Sequence, residues 1–563
     1  MRESEVRTAT AATPSLIRSA PAITSGRRVD GHRAHGSSAG GRARADGSWS
    51  KRSTRIALVA VVLLLIGACA PAGPTTATKT DLVVATAFIP TTLDPMIDGV
   101  AASETKLLMD GIFAQTADMK IVPGLATEWK LVNDTTWEFK LRSGVKFHNG
   151  DSFTAADVKF NFDRILDPKT QSRQVPTWYP QVASAQVVDD LTLRIVTKIP
   201  WPALPHLVQF MRVAPAKYFQ AVGAEGFVQK PIGSGPYKFV EWVKDSHLTL
   251  EANDSYWAGA PKIKRVTFRY VPDANTRAAQ LLSGEVDLVQ KLSPTDAAQV
   301  KARSGLVVAG TRSMNQMFVG INSFVKPFND VRVRQAMNYA VNWDEIIAKI
   351  MSGFAYRSPS SIGPLTLGFN PNLKPYAYDP ARAKQLLAEA GYPNGFETTL
   401  DGPVGRYNQD KEVAQAVIAD LAKVGIRATY TGAEFQAFFT KFLADAKLPM
   451  DKGERGRASA LTGLFLLGCN GPADPDLCNS VHFDSKVRGI YYNSPKVDAL
   501  LVQQRSNTDP QARLLQLQEL SKLAQEEAPW IFAYEDASIY GHKAGLKITA
   551  RPDEFVDVYA LSW

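Results

Sequence analysis

Three cysteines, seven histidines and a large set of carboxylates are the residues of this 563-residue chain that could carry out chemistry. Cys469 and Cys478 have eight residues between them in a Gly/Pro/Asp-rich loop, a spacing that suits one local disulfide. A metal reading would recruit His482, but Cys-x8-Cys-x3-His matches no standard zinc spacing well. Nucleophilic and metal-assisted catalysis find no template. Outside the leader, where Gly36-Ser37-Ser38-Ala39-Gly40 falls, the sequence holds no Gly-x-Ser-x-Gly elbow, and it holds no His-Glu-x-x-His and no Gly-x-Gly-x-x-Gly. Gly233-Ser234-Gly235-Pro236-Tyr237-Lys238 lacks both the Walker spacing and a hydroxyl residue after the lysine. It reads as a turn into a strand over 237–243. Carboxylates are plentiful enough for a glycosidase-like pair, yet no spacing singles one out. The expectation is a chain that is not an enzyme and uses neither cofactor nor metal.

The third cysteine, Cys69, sits at the end of a leader. Residues 1–50 are rich in Arg, Ala, Ser and Gly without apolar periodicity, and read as disordered or as an over-called start. Lys51-Arg52-Ser53-Thr54-Arg55, an apolar run over 56–66 and Gly67-Ala68 form a secretory signal over 51–68. The run is shorter than the roughly 20 residues of a membrane span. Ile66-Gly67-Ala68-Cys69 resembles a bacterial lipobox, which implies lipidation of Cys69; a plain signal peptide with an incidental cysteine is the other reading. Residues 69–80 read as a tether, so the body is expected outside the cytoplasm, in the periplasm or at the cell surface, lipid-anchored to a membrane.

The leader also explains the charge. Of 64 Lys+Arg and 55 Asp+Glu, the first 68 residues hold eleven and four, leaving 53 and 51 for the body. A near-neutral body gives no case for a nucleic-acid partner. At 45% hydrophobic and 21% charged residues the body is ordinary globular material, long enough for about two to four domains.

Period-two alternation predicts strands over 136–142, 191–196 and 266–270. Thr154-Ala155-Ala156-Asp157 is a capping box that opens a helix towards Ile165. Asp379-Pro380 opens another, closed by Gly391. Val333, Ala336, Met337, Ala340 and Val341 share one helical face, and Val413, Val417, Leu421 and Val424 another. Phe435, Phe438, Phe439 and Phe442 read first as the core face of an amphipathic helix. Strands and helices interleave without a fixed period, so the fold class is mixed α/β, or α+β.

One family resemblance runs through the whole body. Gly124-Leu125-Ala126-Thr127-Glu128-Trp129 leads through Trp137-Glu138-Phe139 to Leu141-Arg142-Ser143-Gly144-Val145-Lys146-Phe147-His148-Asn149-Gly150 and then Phe153-Thr154-Ala155-Ala156-Asp157-Val158. Thr92-Leu93-Asp94-Pro95, Pro231-Ile232-Gly233-Ser234-Gly235-Pro236-Tyr237 and Ser283-Gly284-Glu285-Val286-Asp287 follow the same pattern. So do Phe328-Asn329-Asp330-Val331-Arg332-Val333-Arg334-Gln335-Ala336, Tyr378-Asp379-Pro380 and Ala528-Pro529-Trp530. Taken in order, these resemble the family 5 extracellular solute-binding proteins, the dipeptide- and oligopeptide-binding receptors of ABC importers. The resemblance implies a two-lobed periplasmic-binding-protein-like fold with an extra third domain. Lobe I would comprise 81–115, 232–316 and 536–563, domain II 116–231 and lobe III 317–535. The lobes would close around a two-strand hinge near 317–322 and 532–536, which includes Asn322. The implied partners are a peptide or small-molecule ligand and the ABC permease and ATPase subunits, with the receptor itself a monomer.

The same resemblance suggests ligand-binding residues. In peptide-binding members an arginine before a Tyr-Asn step pairs with the peptide carboxylate. Arg406, before Tyr407-Asn408, occupies that point, and a guanidinium matches a carboxylate bidentately. An aspartate three residues before an Asp-Pro step holds the α-ammonium in the family; here Asp474-Pro475 is that step and Gly471 stands where the acid belongs. Loss of the acid removes a buried counter-charge, so Asp474, Asp476 or a neighbouring loop would substitute, or the ligand has no free amine. Family members also take nickel complexes, glutathione, opines and sugars. Trp178 and Tyr179, between Pro176 and Pro180, are the loop aromatics expected to contact the ligand.

Overall fold

The structure, a computed structural model, describes residues 79–97, 103–172, 174, 179–444, 461–470, 474–485 and 491–563. Cys69, Trp178 and Gly471 lie outside the described residues.

In chain order, β1 (Asp81–Thr86) is followed by a two-stranded ribbon, β2 (Phe113–Gln115) and β3 (Ile121–Pro123). β4 (Ala126–Asn133), β5 (Thr136–Leu141), β6 (Val182–Asp189) and β7 (Thr192–Thr197) then form an antiparallel sheet of order β4-β5-β7-β6. The predicted alternation holds in part: Phe139, Leu193 and Ile195 are fully buried and Lys140 is exposed, but Glu138 and Thr192 on the polar face are buried too, Glu138 under Lys130 and Arg194. The helix Ala155–Leu166 covers this sheet and begins at the predicted capping box, where the Thr154 amide donates to Asp157 Oδ2 at 2.9 Å. Asp94 of the Leu93-Asp94-Pro95 turn accepts two bonds from Arg164 on that helix, at 3.3 and 2.6 Å. The motif thus ties the turn after the first strand to the small sheet.

The remaining strands are β8 (Tyr237–Val243), β9 (His247–Ala252), β10 (Arg265–Tyr270), β11 (Leu288–Gln290), β12 (Leu306–Ile321), β13 (Ala355–Arg357), β14 (Phe396–Pro403), β15 (Ile426–Ala433), β16 (Leu464–Asn470) and β17 (Trp530–Lys543). With β1 they make one 11-stranded sheet of order β15-β14-β16-β12-β17-β11-β1-β10-β9-β8, with β13 also on β17. The helix Asp410–Ala422 buries Val413, Val417 and Leu421 completely. At about 1.5–3 kcal/mol per fully buried aliphatic side chain, that face alone accounts for its docking. Asp379 caps the helix Pro380–Glu389 by accepting from the Arg382 amide at 2.9 Å. Arg334 is buried and donates to the carbonyl of Glu527 at 2.9 and 2.6 Å, holding the end of the helix Pro510–Glu527.

Only β12 and β17 run through both halves of the large sheet. β11 pairs with Tyr540–His542 of β17 and carries β1 on its other edge, whereas β16 pairs with Asn315–Ile321 of β12 and carries β14 on its other edge. The β12–β17 register is regular where Leu306–Arg312 faces Ala537–Lys543, breaks between Arg312 and Gln316, resumes with Gln316 opposite Glu535, and shifts once more between Met317, opposite Tyr534, and Phe318, opposite Phe532. The fold is therefore two-lobed, with two antiparallel strands as the shared element and an irregularity at 313–315. The second shift, at Met317–Phe318 and Phe532–Tyr534, falls within the expected 317–322 and 532–536, while the larger break at 313–315 lies just before 317.

Candidate functional site

The register break gathers buried polar groups. Gln316 and Glu535 are 4% and 3% exposed, and face each other across β12 and β17. Glu535 Oε2 accepts from Arg312 Nη1 at 2.6 Å, while Oε1 has no donor among the described residues. Gln316 Nε2 donates to the carbonyls of Met317 and Tyr534 at 3.3 and 3.4 Å, and its Oε1 is likewise without a donor. Both side chains line one recess with Ser313, Ser361, Gly363 and Cys469. Gly363 leaves room for this carboxylate: a Cβ there would fall 1.4 Å from Glu535 Oε1, so a larger residue would displace the Glu535 side chain. Burial pushes the Glu535 carboxyl up, against the opposing pull of Arg312. The neighbouring Asp536, on the opposite face of the strand, is pushed up to about 7 by burial despite a hydrogen bond from Asn408 Nδ2 at 3.0 Å. A buried acceptor without a donor costs about 1–3 kcal/mol. Two such oxygens in one recess fit a donor-only group such as an ammonium, which carries three N–H bonds and no acceptor.

A second group approaches from the loop after β14. The buried carboxylate of Asp410 accepts from the backbone amides of Gly405, Arg406 and Tyr407 at 3.0, 2.9 and 3.1 Å, which fixes the loop's shape. Tyr407 donates its hydroxyl to the Gly468 carbonyl on β16 at 3.3 Å, and Asn408 reaches Asp536 on β17. Burial raises the Tyr407 hydroxyl, so it stays a neutral donor. The half-buried Tyr407 is therefore part of the hinge wall. Arg406 is exposed, with its guanidinium 5.1 Å from the Tyr407 ring and 5.3 Å from the Phe435 ring. It makes no ion pair among the described residues and is free to take a carboxylate.

Other expected contacts have different roles. Tyr179 is fully buried in the core under β6 and β7, edge-on to Phe162 with ring centroids 5.8 Å apart, and its hydroxyl donates to the Leu207 carbonyl at 3.4 Å. Packing against chain segments distant in sequence, not ligand contact, accounts for it. Asp474 is 1% exposed and held by Arg513 through bonds of 2.6 and 2.9 Å. Burial alone would raise its carboxyl, but the charge and hydrogen bonds of Arg513 hold it below the ordinary range. Its charge is already neutralised, so it is a structural anion instead of a counter-charge for a ligand amine. Asp476 is likewise engaged, by Gln504 Nε2 at 2.6 Å and by Arg505. Asn322 is buried. It donates to the Leu461 carbonyl at 2.8 Å and accepts from the Phe324 amide at 3.2 Å, so its side chain ties two loops together and does not face a solute. Cys469 and Cys478 are bonded to each other, with Cα atoms 6.1 Å apart, which leaves neither thiolate for a metal. His482 packs edge-on to Phe318 at 5.1 Å. Phe438 and Phe442 are core residues of the helix Phe435–Ala444, as their spacing indicates.

Sequence reasoning passed over Arg312, Gln316, Asp410 and Glu535. One signal was present: Glu535-Asp536 is a pair of adjacent acids inside the apolar run of β17. Successive side chains on a strand point to opposite faces, so two buried acids in a row put a charge on each face.

Among the described residues no helix is long and apolar enough to cross a membrane. The family model for bacterial extracellular solute-binding proteins, family 5, middle region, matches residues 120–457. The glutathione-binding protein GsiB of Pectobacterium atrosepticum is 33% identical over 487 residues, covering 82% of this chain and 89% of that protein. The ABC transporter-associated periplasmic binding protein DppA from Helicobacter pylori, solved with the peptide STSA, is 25% identical with a TM-score of 0.72, covering 86% of this chain and 98% of that one. NikA from Brucella suis, solved with Fe(III)-EDTA, is 27% identical with a TM-score of 0.74, covering 86% and 99%.

Proposed function

We propose, for a chain that belongs to the family 5 bacterial extracellular solute-binding proteins, that it is an ABC-importer receptor for a small peptide or peptide-like solute bearing a free amine and a carboxylate. The solute ammonium donates to Glu535 Oε1 and Gln316 Oε1, and Arg406 takes the carboxylate. The observation that carries this reading is the pair of buried acceptor oxygens without donors at the hinge. Glu535 then does the work of the acid missing at Gly471. The glutathione-binding and peptide-bound relatives support the same solute class.

The lobes follow the shared strands: lobe I is 81–115, 232–316 and 536–563, domain II is 116–231, and lobe III is 317–535. Closure about 313–315 and 535–537 excludes water from the recess, which strengthens every polar contact in it. The body is a monomer held to a membrane by lipid on Cys69, hands its solute unchanged to permease and ATPase subunits, and performs no catalysis.

Titration calorimetry tests the solute reading with glutathione, di- and tripeptides and their N-acetylated forms. Free-amine solutes bind, and Glu535→Gln weakens them by about tenfold or more, the scale of one lost charge-assisted contact. Equal binding of acetylated and free forms, or of opine-like, sugar or nickel-chelate solutes alone, refutes the amine assignment.

A further inference from the structure

A second cavity lies away from the hinge and shares no lining residue with the recess there. It is bounded by the helix Ser103–Leu108, the strand β2, residues 209–212, the turn around Trp257 and the C-terminal segment 551–559. Its volume is about 260 Å³, below the roughly 300–1,000 Å³ of pockets that take drug-sized molecules. Phe113, Phe210, Trp257 and Phe555 supply apolar walls.

Three cations, Lys106, Arg212 and Arg551, and one carboxylate, Asp557, line these walls. Asp553 and Asp110 lie just behind them and offset their charge, so what distinguishes the cations is their hydrogen bonding. Arg551 is spoken for: it grips Asp553 at 2.9 and 2.6 Å and donates to the Gln115 carbonyl at 3.2 Å. Lys106 lies 3.5 Å from Asp553 and 3.1 Å from the Phe555 ring centroid. Arg212 is different. It is 7% exposed, its guanidinium makes no hydrogen bond or ion pair with any described residue, and its Nε is buried without a partner. The nearby Asp110 carboxylate is occupied by Tyr256 at 2.8 Å, Trp257 at 2.9 Å and Ser234 at 3.0 Å. The backbone makes room for the guanidinium, since a Cβ on Gly111 would fall 2.1 Å from Arg212 Nη1.

A guanidinium carries five donors in a fixed fork and stays charged. Burial pulls Arg212 down only to about 10, so it remains a cation at neutral pH. A buried cation without acceptors is costly, and a carboxylate offers two parallel acceptors of matching geometry. We propose that this cavity is a second binding site, taking a small organic carboxylate whose apolar body lies among Phe113, Phe210, Trp257 and Phe555 and whose carboxylate is held by Arg212 with Lys106 beside it. The site is independent of solute capture at the hinge.

The test uses the full-length protein with benzoate as the probe and benzamide as its neutral counterpart. Calorimetry is expected to show benzoate binding, no benzamide binding, at least about tenfold weaker benzoate binding to Arg212→Gln, and unchanged binding to Glu535→Gln. Equal affinity in wild type and a folded Arg212→Gln, loss in Glu535→Gln, or no binding to wild type overturns the proposal. Should Arg212→Gln fail to fold, a crystal of the wild-type protein soaked in 4-bromobenzoate decides. Bromine density among the four aromatic walls supports the site, and its absence there refutes it.

Discussion

Replacing Asp474 by asparagine separates a structural anion from a ligand contact. The carboxylate and Arg513 are 1% and 3% exposed and share two hydrogen bonds of 2.6 and 2.9 Å. Removing one charge leaves the guanidinium buried with Gln504 as its remaining partner, through Oε1 at 3.1 Å and the carbonyl at 3.0 Å. Breaking one partner of a buried pair costs about 3–5 kcal/mol. The variant is therefore expected to lose most of that amount in urea unfolding, with a lower midpoint at unchanged slope. Replacing both residues, Asp474→Asn with Arg513→Met, removes the uncompensated charge and is expected to recover much of the loss, giving a coupling of at least about 2 kcal/mol in the double-mutant cycle. A cost below about 1 kcal/mol in the single variant, accompanied by loss of solute binding, would refute the structural assignment and return Asp474 to the ligand site.

Asp536→Asn is expected to flatten stability against pH. The folded carboxyl sits at about 7, above its ordinary 3.8, so the folded state keeps a proton that the unfolded chain has released, and stability falls as pH rises between those values. Three units correspond to at most about 4 kcal/mol; a slope between pH 4 and 7 equal to wild type in thermal unfolding counts against this. Asp410→Ala removes the acceptor of three loop amides and is expected to weaken solute binding about tenfold or more by letting Arg406 wander; a calorimetric affinity within twofold of wild type would show that the loop does not position the ligand. Labelled palmitate is expected to attach to the wild-type chain and not to Cys69→Ser, and equal labelling of both excludes the anchor.

Local signals carried much of the architecture. The alternation over 136–142 became β5, the capping box at Thr154 opened its helix, and the Val413, Val417, Leu421 stripe is the buried face it looked to be. Each of these is written within a dozen residues. What stayed hidden depends on distant partners. Asp474 meets Arg513 39 residues later, so the sequence around the Asp-Pro step carries no sign that its charge is taken. Tyr179 looked like a loop aromatic between two prolines, but its hydroxyl is claimed by Leu207 and its ring by Phe162. Glu535 and Gln316 became neighbours only because β12 and β17 pair across more than two hundred residues. Alternation could say that one face of β17 was special, but not which face looks into the recess.

β17 sits inside the large sheet, between β12 and β11, yet follows every other strand in chain order. During synthesis, therefore, β11 and β12 wait with unsatisfied edges until residues 530–543 emerge. Neither lobe can finish early, and the chain is kept from premature closure while it is still being made. The same timing carries a liability: a chain cut short of Trp530 would present two open sheet edges, a template for association with other chains.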